Sequence, residues 1–337
     1  MIPGVSDDAY EAARRRAGVI DRSGRGRIVV SGPDRASYLQ GLLTNDIAAL
    51  AAGHGCYAAY LTAQGRMIAD LYVCELGDVI LLTMERAVKD TVLAKLDQFI
   101  FSEDVQLGDV SEAYAQIAVV GPQAPELLST VLSGLAPASL RGLPEHGNLR
   151  TDWRAELAIV AHVTDTGVPG FDVFVERKHH DALLDAIVAA GAVHLDAATA
   201  NVLRLEAGVP LFTRDMTEDT IPLEAGIESR AISFTKGCYV GQEVIIRVLH
   251  RGHGRVVRKL VGLTLSGEQP PAAAAVVRAG DREAGHVTSA AMSPALKRPI
   301  ALAYVHRDFV APGTAVTVGD AAGEVVSLPF VASGPGQ

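Results

Sequence analysis

Residues 28–43 read IVVSGPDRASYLQGLL, and residues 117–132 read IAVVGPQAPELLSTVL. Ile28, Val30, Gly32, Pro33, Leu39 and Leu43 coincide with Ile117, Val119, Gly121, Pro122, Leu128 and Leu132. In each stretch a short apolar run reads as a strand. Glycine ends it, proline opens the first helical turn, and leucines recur at helical spacing. A second pairing follows each copy. DVILLTMERAVKDTVLAKL (78–96) is a strand, then a helix with Val88, Val92 and Leu96 inward. FDVFVERKHHDALLDAIVAAG (171–191) is again a strand, then a helix with Leu183, Ile187 and Val188 inward and Gly191 suited to its C-terminal cap. A duplicated strand–helix unit leaves few choices for the first 200 or so residues: two related α+β subdomains packed on each other.

Between the paired elements of the first copy, CYAAYLTAQGRMIADLYVCEL (56–76) reads as a hairpin turning at Ala-Gln-Gly, 63–65. After Val261 the pattern changes to short apolar strands punctuated by Gly, Pro and Asp, the signature of a small β-barrel or sandwich, with an exposed loop at Gln269–Ala275. The expected fold class is therefore α+β, with a duplicated region over 1–245 and a β-barrel domain over 246–337. A chain of 337 residues with 49% hydrophobic and 20% charged residues can bury such cores.

The net charge of −9 makes the chain a poor general nucleic-acid binder, because neutralising phosphates takes a surplus of Lys and Arg. Its three cysteines, Cys56, Cys74 and Cys238, are widely spaced, odd in number and form no CxxC pair. That pattern gives no zinc ribbon and fits a reducing compartment. The N-terminus lacks the apolar core of a signal peptide, and no run is long enough to span a bilayer, so a cytoplasmic location and no membrane partner are expected. No G-x-G-x-x-G follows a strand, and neither a Walker loop nor G-x-S-x-G occurs, which removes the nucleotide dehydrogenase, P-loop and serine hydrolase classes.

Four features carry possible chemistry. Cys238 lies in FTKGCYVGQE, two residues after Lys236; in an extended stretch both side chains share a side, and a cation lowers a thiol's pKa. A structural cysteine in a tight turn fits the same residues. The run RVLHRGHGRVVRK (247–259) concentrates Arg247, Arg251, Arg255, Arg258 and Lys259, with Gly252 and Gly254 arguing for a broken bend rather than a helix. It suits an anionic ligand tail, a phosphate or a short RNA, or else a solvated charged strand. Asp70 stands in QGRMIADLYV, where strand alternation sets it on one face with Ile68 and Tyr72; a carboxylate there needs a partner if it is buried. Asp172 in GVPGFDVFV and Arg204 in NVLRLEAGVPLF are single charges among apolar neighbours.

Together LQGLLTND (39–46), LTAQGRMIADL (61–71), LRLEAGVPLF (203–212) and IPLEAGIESRAISFTKGCYVGQE (221–243) resemble the glycine-cleavage T-protein (aminomethyltransferase) superfamily. KGCYVGQE is similar to the signature of its YgfZ branch, folate-binding proteins that support iron–sulfur enzymes. The resemblance implies two related α+β subdomains around a central folate channel, a C-terminal β-barrel, and tetrahydrofolate as cofactor. It implies that Asp70 is the pterin-side catalytic aspartate and Arg204 a folate contact. Asp172 stands where glutamate is usual, one methylene shorter. Cys238 and Lys236 match the YgfZ motif, with Cys238 doing thiol work, and Arg247 and Arg251 would meet a polyglutamate tail. The expected function is thus a tetrahydrofolate-binding YgfZ-like protein serving iron–sulfur proteins or their assembly factors. The competing expectations are a folate-dependent one-carbon transferase, for which the retained Asp70 argues, and a non-catalytic RNA- or protein-binding module.

Overall fold

The computed structural model describes residues 5–250 and 255–332. Helix α1 (Asp7–Arg15) and strand β1 (Gly18–Asp21) precede the first copy: β2 (Gly26–Ser31), α2 (Arg35–Leu42), β3 (Gly55–Leu61), β4 (Met67–Glu75), β5 (Ile80–Met84) and α3 (Arg86–Asp97). Strand β6 (Gln106–Asp109) leads to the second copy: β7 (Tyr114–Val120), α4 (Ala124–Val131), α5 (Pro137–Arg141), β8 (Asn148–Trp153), β9 (Glu156–Val163), β10 (Gly170–Glu176), α6 (His180–Ala189) and β11 (Val193–His194). One sheet runs β3-β4-β5-β2-β6 and the other β11-β1-β7-β10-β9-β8. The strand–turn–helix repeat is therefore present in both copies, and β3 and β4 form the expected hairpin.

The duplication reaches back further than the paired sequences suggest. Strand β6 pairs with β2, setting Asp109 opposite Ile28, while β1 pairs with β7, setting Asp21 opposite Ile117. Each copy thus completes its sheet with the strand that leads into the other. Both leading strands end in Asp-x-Ser: Asp21 accepts from the Ser23 amide and Asp109 from the Ser111 amide. At the pseudo-twofold between them lies Arg27, fully buried. Its guanidinium donates to the Ser23 and Ser111 carbonyls and to Gln116, the residue that occupies the matching position in the second copy. With no carboxylate against it, burial pulls its pKa down to about 10.

The repeated Gly-Pro is explained differently from the sequence expectation. Pro33 and Pro122 lie in the turn before each helix, not in its first turn, because Arg35 N–H bonds back to the Gly32 carbonyl and Ala124 N–H to that of Gly121. Proline suits the second position of such a turn. Gly32 and Gly121 have φ of +100° and +119°, and a Cβ on either would fall 2.0 Å or 2.6 Å from a backbone carbonyl oxygen. No other residue fits there.

Helices α2 and α3 cover the outer face of the first sheet, packing Leu39, Leu43, Val92 and Leu96 on Ile28, Ala58 and Leu82. Helices α4 to α6 do the same for the second. The inner faces meet at one end through Cys74, Leu81, Ile159 and Phe174. Away from that core the inner face of β3 packs Tyr57, Ala59 and Leu61 against Phe212, Met216 and Leu223.

After α7 (Ala197–Glu206), α8 (Pro222–Ala225) and α9 (Glu228–Ala231), helix α10 (Gln242–His250) leads towards the barrel. Its apolar side buries Ile245 among Phe212, Met216 and Tyr239. The basic run is thus helical at its start, not a bend, while Arg251 and the glycines beside it lie outside the described residues. The tail is a closed six-stranded barrel: β12 (Arg258–Leu265), β13 (Val276–Ala279), β14 (Arg282–Ser293), β15 (Arg298–His306), β16 (Ala315–Val318) and β17 (Ala321–Val326). Buried Glu206 of α7 ties it down, accepting from Tyr10 and Arg14 of α1 and from Ser293 of β14. Among the described residues no helix is long and apolar enough to cross a membrane.

Candidate functional site

Period-two alternation builds the site. On β4, Ala69, Leu71 and Val73 face the helices, so Asp70, Tyr72 and Cys74 face the second sheet. On β10, Phe171 and Val173 face the opposite helices, so Asp172 and Phe174 face inward. Cys74 and Phe174 share the inter-sheet core, which brings Asp70 and Asp172 to the same gap between the sheets.

The Asp70 carboxylate accepts a 2.6 Å hydrogen bond from Tyr57 OH, across the hairpin. Burial raises its pKa, outweighing that bond. The Tyr57 ring lies 5.2 Å from that of Tyr72, which in turn lies 5.4 Å from His146. Burial holds the His146 imidazole neutral, and its Nδ1 has no hydrogen-bond partner among the described residues. Arg230 of α9 covers the Tyr57 ring at 5.5 Å and pairs with Glu145.

Asp172 is buried and shared. Gln116 Nε2 donates to one oxygen at 2.7 Å and Arg22 to the other at 3.2 Å. The second arm of Arg22 donates to Asp165 at 3.0 Å. One guanidinium thus serves two carboxylates with different results. Burial raises Asp172 and wins over Arg22, whereas at Asp165 burial is overcome by Arg22 and the pKa is lowered. A carboxyl with its pKa raised and one with its pKa lowered thus share the same arginine.

Arg204 borders a cavity on the far side of Arg22 and Arg25 and is heavily engaged. It donates to Asp215, the Val209 carbonyl, Asn201 and Ser289 of β14, so it fastens α7 to the barrel as well as bordering the cavity. That cavity, about 360 Å³, is lined by Arg22, Arg25, Glu85, Asp165, Thr166 and Arg204 among others; Asp70 and Asp172 are not in its lining, and Arg22, bonded to Asp172, and Arg25, over the Tyr72 ring, stand between it and them.

The remaining candidates lie elsewhere. Lys236 does not turn to the Cys238 sulfur: its ammonium donates to the carbonyls of Gln40, Leu43 and Asn45 at 2.6–2.8 Å, capping the end of α2. The segment around it bends, so the shared side expected of an extended stretch is absent. Cys238 is exposed, whereas Cys56 and Cys74 are buried. Arg247 is exposed on α10. Sequence reasoning missed Arg22, Arg25, Tyr57, His146 and Asp165. A comparison of the two Asp-x-Ser segments would have exposed the first, since Arg22 stands where the second copy has Val110.

Residues 3–236 match the model described as the GCVT N-terminal domain, and residues 258–332 that of the glycine cleavage T-protein C-terminal barrel domain. The chain belongs to the glycine-cleavage T-protein family. It is 36% identical to the aminomethyltransferase of Streptomyces avermitilis over 97% of this chain and 90% of that protein. Identity is also 36% with the aminomethyltransferase of Rubrobacter xylanophilus, over 88% and 78%. The crystal structure of glycine cleavage system aminomethyltransferase T from Bartonella henselae superposes with a TM-score of 0.88 at 25% identity, covering 98% of this chain and 92% of that one. These T-protein relatives carry the transferase name, and none of the three carries the finer YgfZ placement suggested by KGCYVGQE.

Proposed function

We propose that this T-protein family member is a folate-dependent aminomethyltransferase, moving a one-carbon unit from an aminomethyl donor to tetrahydrofolate. The observation that carries the reading is Asp70: a carboxylate on an inner strand face, held by Tyr57, with its pKa raised by burial. Such a group can hold or take a proton at a reacting nitrogen. The named relatives, all aminomethyltransferases, support it.

The gap suits tetrahydrofolate in its donor set. A reduced pterin offers several N–H donors, which Asp70 and Asp172 can accept, and acceptor atoms for unpartnered donors. Thr166 Oγ1 is such a donor, buried beside the cavity without a partner among the described residues. Tyr57, Tyr72 and His146 give aromatic surface for a flat ring. Tetrahydrofolate supplies the amine that accepts the carbon. Asp70 and Asp172 would hold it, and Tyr57 and Arg22 would fix those carboxylates. The test is formation of methylene-tetrahydrofolate and ammonia from aminomethyl donors by the wild type and its loss in Asp70→Asn. Absence of turnover with a panel of such donors would sink the proposal.

One observation favours a second reading, the YgfZ-like role in iron–sulfur enzyme maintenance. Cys238 is the exposed thiol, on a loop that Lys236 anchors to the end of α2. In cells, Cys238→Ala would then lower iron–sulfur enzyme activity while leaving transfer to folate intact. Unchanged iron–sulfur activity would remove this role.

A further inference from the structure

We propose that Arg25 reads a carboxylate on the ligand of this site, an inference that rests on the transferase reading for the identity of that ligand. The cavity that Arg204 borders is lined by Glu85, Asp165 and four arginines, Arg22, Arg25, Arg204 and Arg214. Three of them already have acceptors. Arg22 holds Asp165 and Asp172, Arg204 holds Asp215 with three neutral groups, and Arg214 donates to Asn201. Arg25 is different. Its guanidinium makes no side-chain hydrogen bond among the described residues, and its Nε is buried without a partner. The closest carboxylate, Glu85, stands 3.8 Å away, too far for a hydrogen bond.

A guanidinium only 17% exposed, with a long ion pair to Glu85 and a buried Nε that has no acceptor among the described residues, is costly unless something else supplies one. The Tyr72 ring fixes its position, with Cζ 5.5 Å from the ring centroid, and Tyr72 shares its strand face with Asp70. The rigid fork of an arginine matches a carboxylate with two parallel bonds, where a carbonyl would leave one arm empty. A ligand whose nitrogen lies at Asp70 would therefore present its carboxylate towards Arg25. Two sources have that chemistry: the glutamyl part of a folate, and an amino-acid-like carbon donor.

Calorimetric titration of wild type, Arg25→Gln and Arg25→Lys distinguishes them, using tetrahydrofolate, tetrahydropterin (the same ring without any carboxylate) and glycine as the smallest amino carboxylate. Arg25→Gln should weaken the carboxylate-bearing ligand about 10- to 100-fold, the worth of a charged hydrogen bond, while tetrahydropterin binding and the melting temperature stay unchanged. Arg25→Lys should recover part of the loss. Weakening of tetrahydrofolate alone assigns the folate tail; weakening of glycine alone assigns the donor. Equal weakening of tetrahydropterin, or no weakening of any ligand, overturns the inference. Should wild type bind neither reduced pterin, the transferase reading fails, and the glycine titration alone decides Arg25.

Discussion

Replacing Asp70 by asparagine should separate catalysis from folding. The amide is isosteric, and its oxygen still accepts the 2.6 Å bond from Tyr57, so the hairpin and the Tyr57–Tyr72 pair stay in place. What is lost is the ability to take or hold a proton. General acid–base groups contribute about 10²- to 10⁴-fold. At 1.36 kcal/mol for each factor of ten, that is a barrier higher by about 2.7–5.4 kcal/mol. Stability should move the other way. Burial raises the pKa of Asp70 in the fold, so between the ordinary carboxylate range near pH 4 and that raised value the native state binds more protons than the unfolded chain. Stability from this group is complete below that window and declines as pH rises through it. Asparagine removes the decline, so the variant should melt higher than wild type at neutral pH and no higher below about pH 4. The assay is single-turnover transfer to tetrahydrofolate beside thermal melts at several pH values. Transfer within a few-fold of wild type, or a lower melting temperature at neutral pH, would refute the argument that Asp70 is a strained proton carrier.

Other substitutions test the frame around it. Gly32→Ala and Gly121→Ala should each destabilise by about 2 kcal/mol or more in urea unfolding, because the left-handed backbone is strained and the added methyl meets a carbonyl. Glu206→Ala strips the partner from Arg14 and two hydroxyls, and should cost about 3–5 kcal/mol, seen as a lower melting temperature. Lys236→Ala leaves three carbonyls at the end of α2 without their donor; it should speed labelling of Cys238 by a thiol reagent and leave Cys56 and Cys74 protected.

The local patterns in the chain were legible. The Gly-Pro repeat, the hairpin and the β-rich tail each follow from residues close in sequence, whose period and turn chemistry are set by backbone sterics. Asp70 was legible for the same reason: alternation alone puts it beside Tyr72. The arginine–carboxylate network was not, because Arg22 reaches Asp172 and Asp165 across most of the duplicated region, and nothing near Arg22 in sequence marks that meeting. The earlier start of the repeat was hidden by length, since the segment from Ser111 to Ile117 is one residue longer than that from Ser23 to Ile28. Lys236 was misread for a different reason. Its spacing from Cys238 means something only in an extended chain, and the carbonyl cluster that binds it belongs to another element.

The exchanged leading strands limit how this molecule can move. The two sheets are joined by two short crossings, residues 22–25 between β1 and β2 and residues 110–113 between β6 and β7, and Arg27 donates to the Ser23 carbonyl of one and the Ser111 carbonyl of the other. A hinged parting of the sheets would turn on those crossings and leave β1 on β7 and β6 on β2, with Arg27 fastening the pivot. Hydrogen exchange should find β1 opening with β7 and β6 with β2, each pair as one unit.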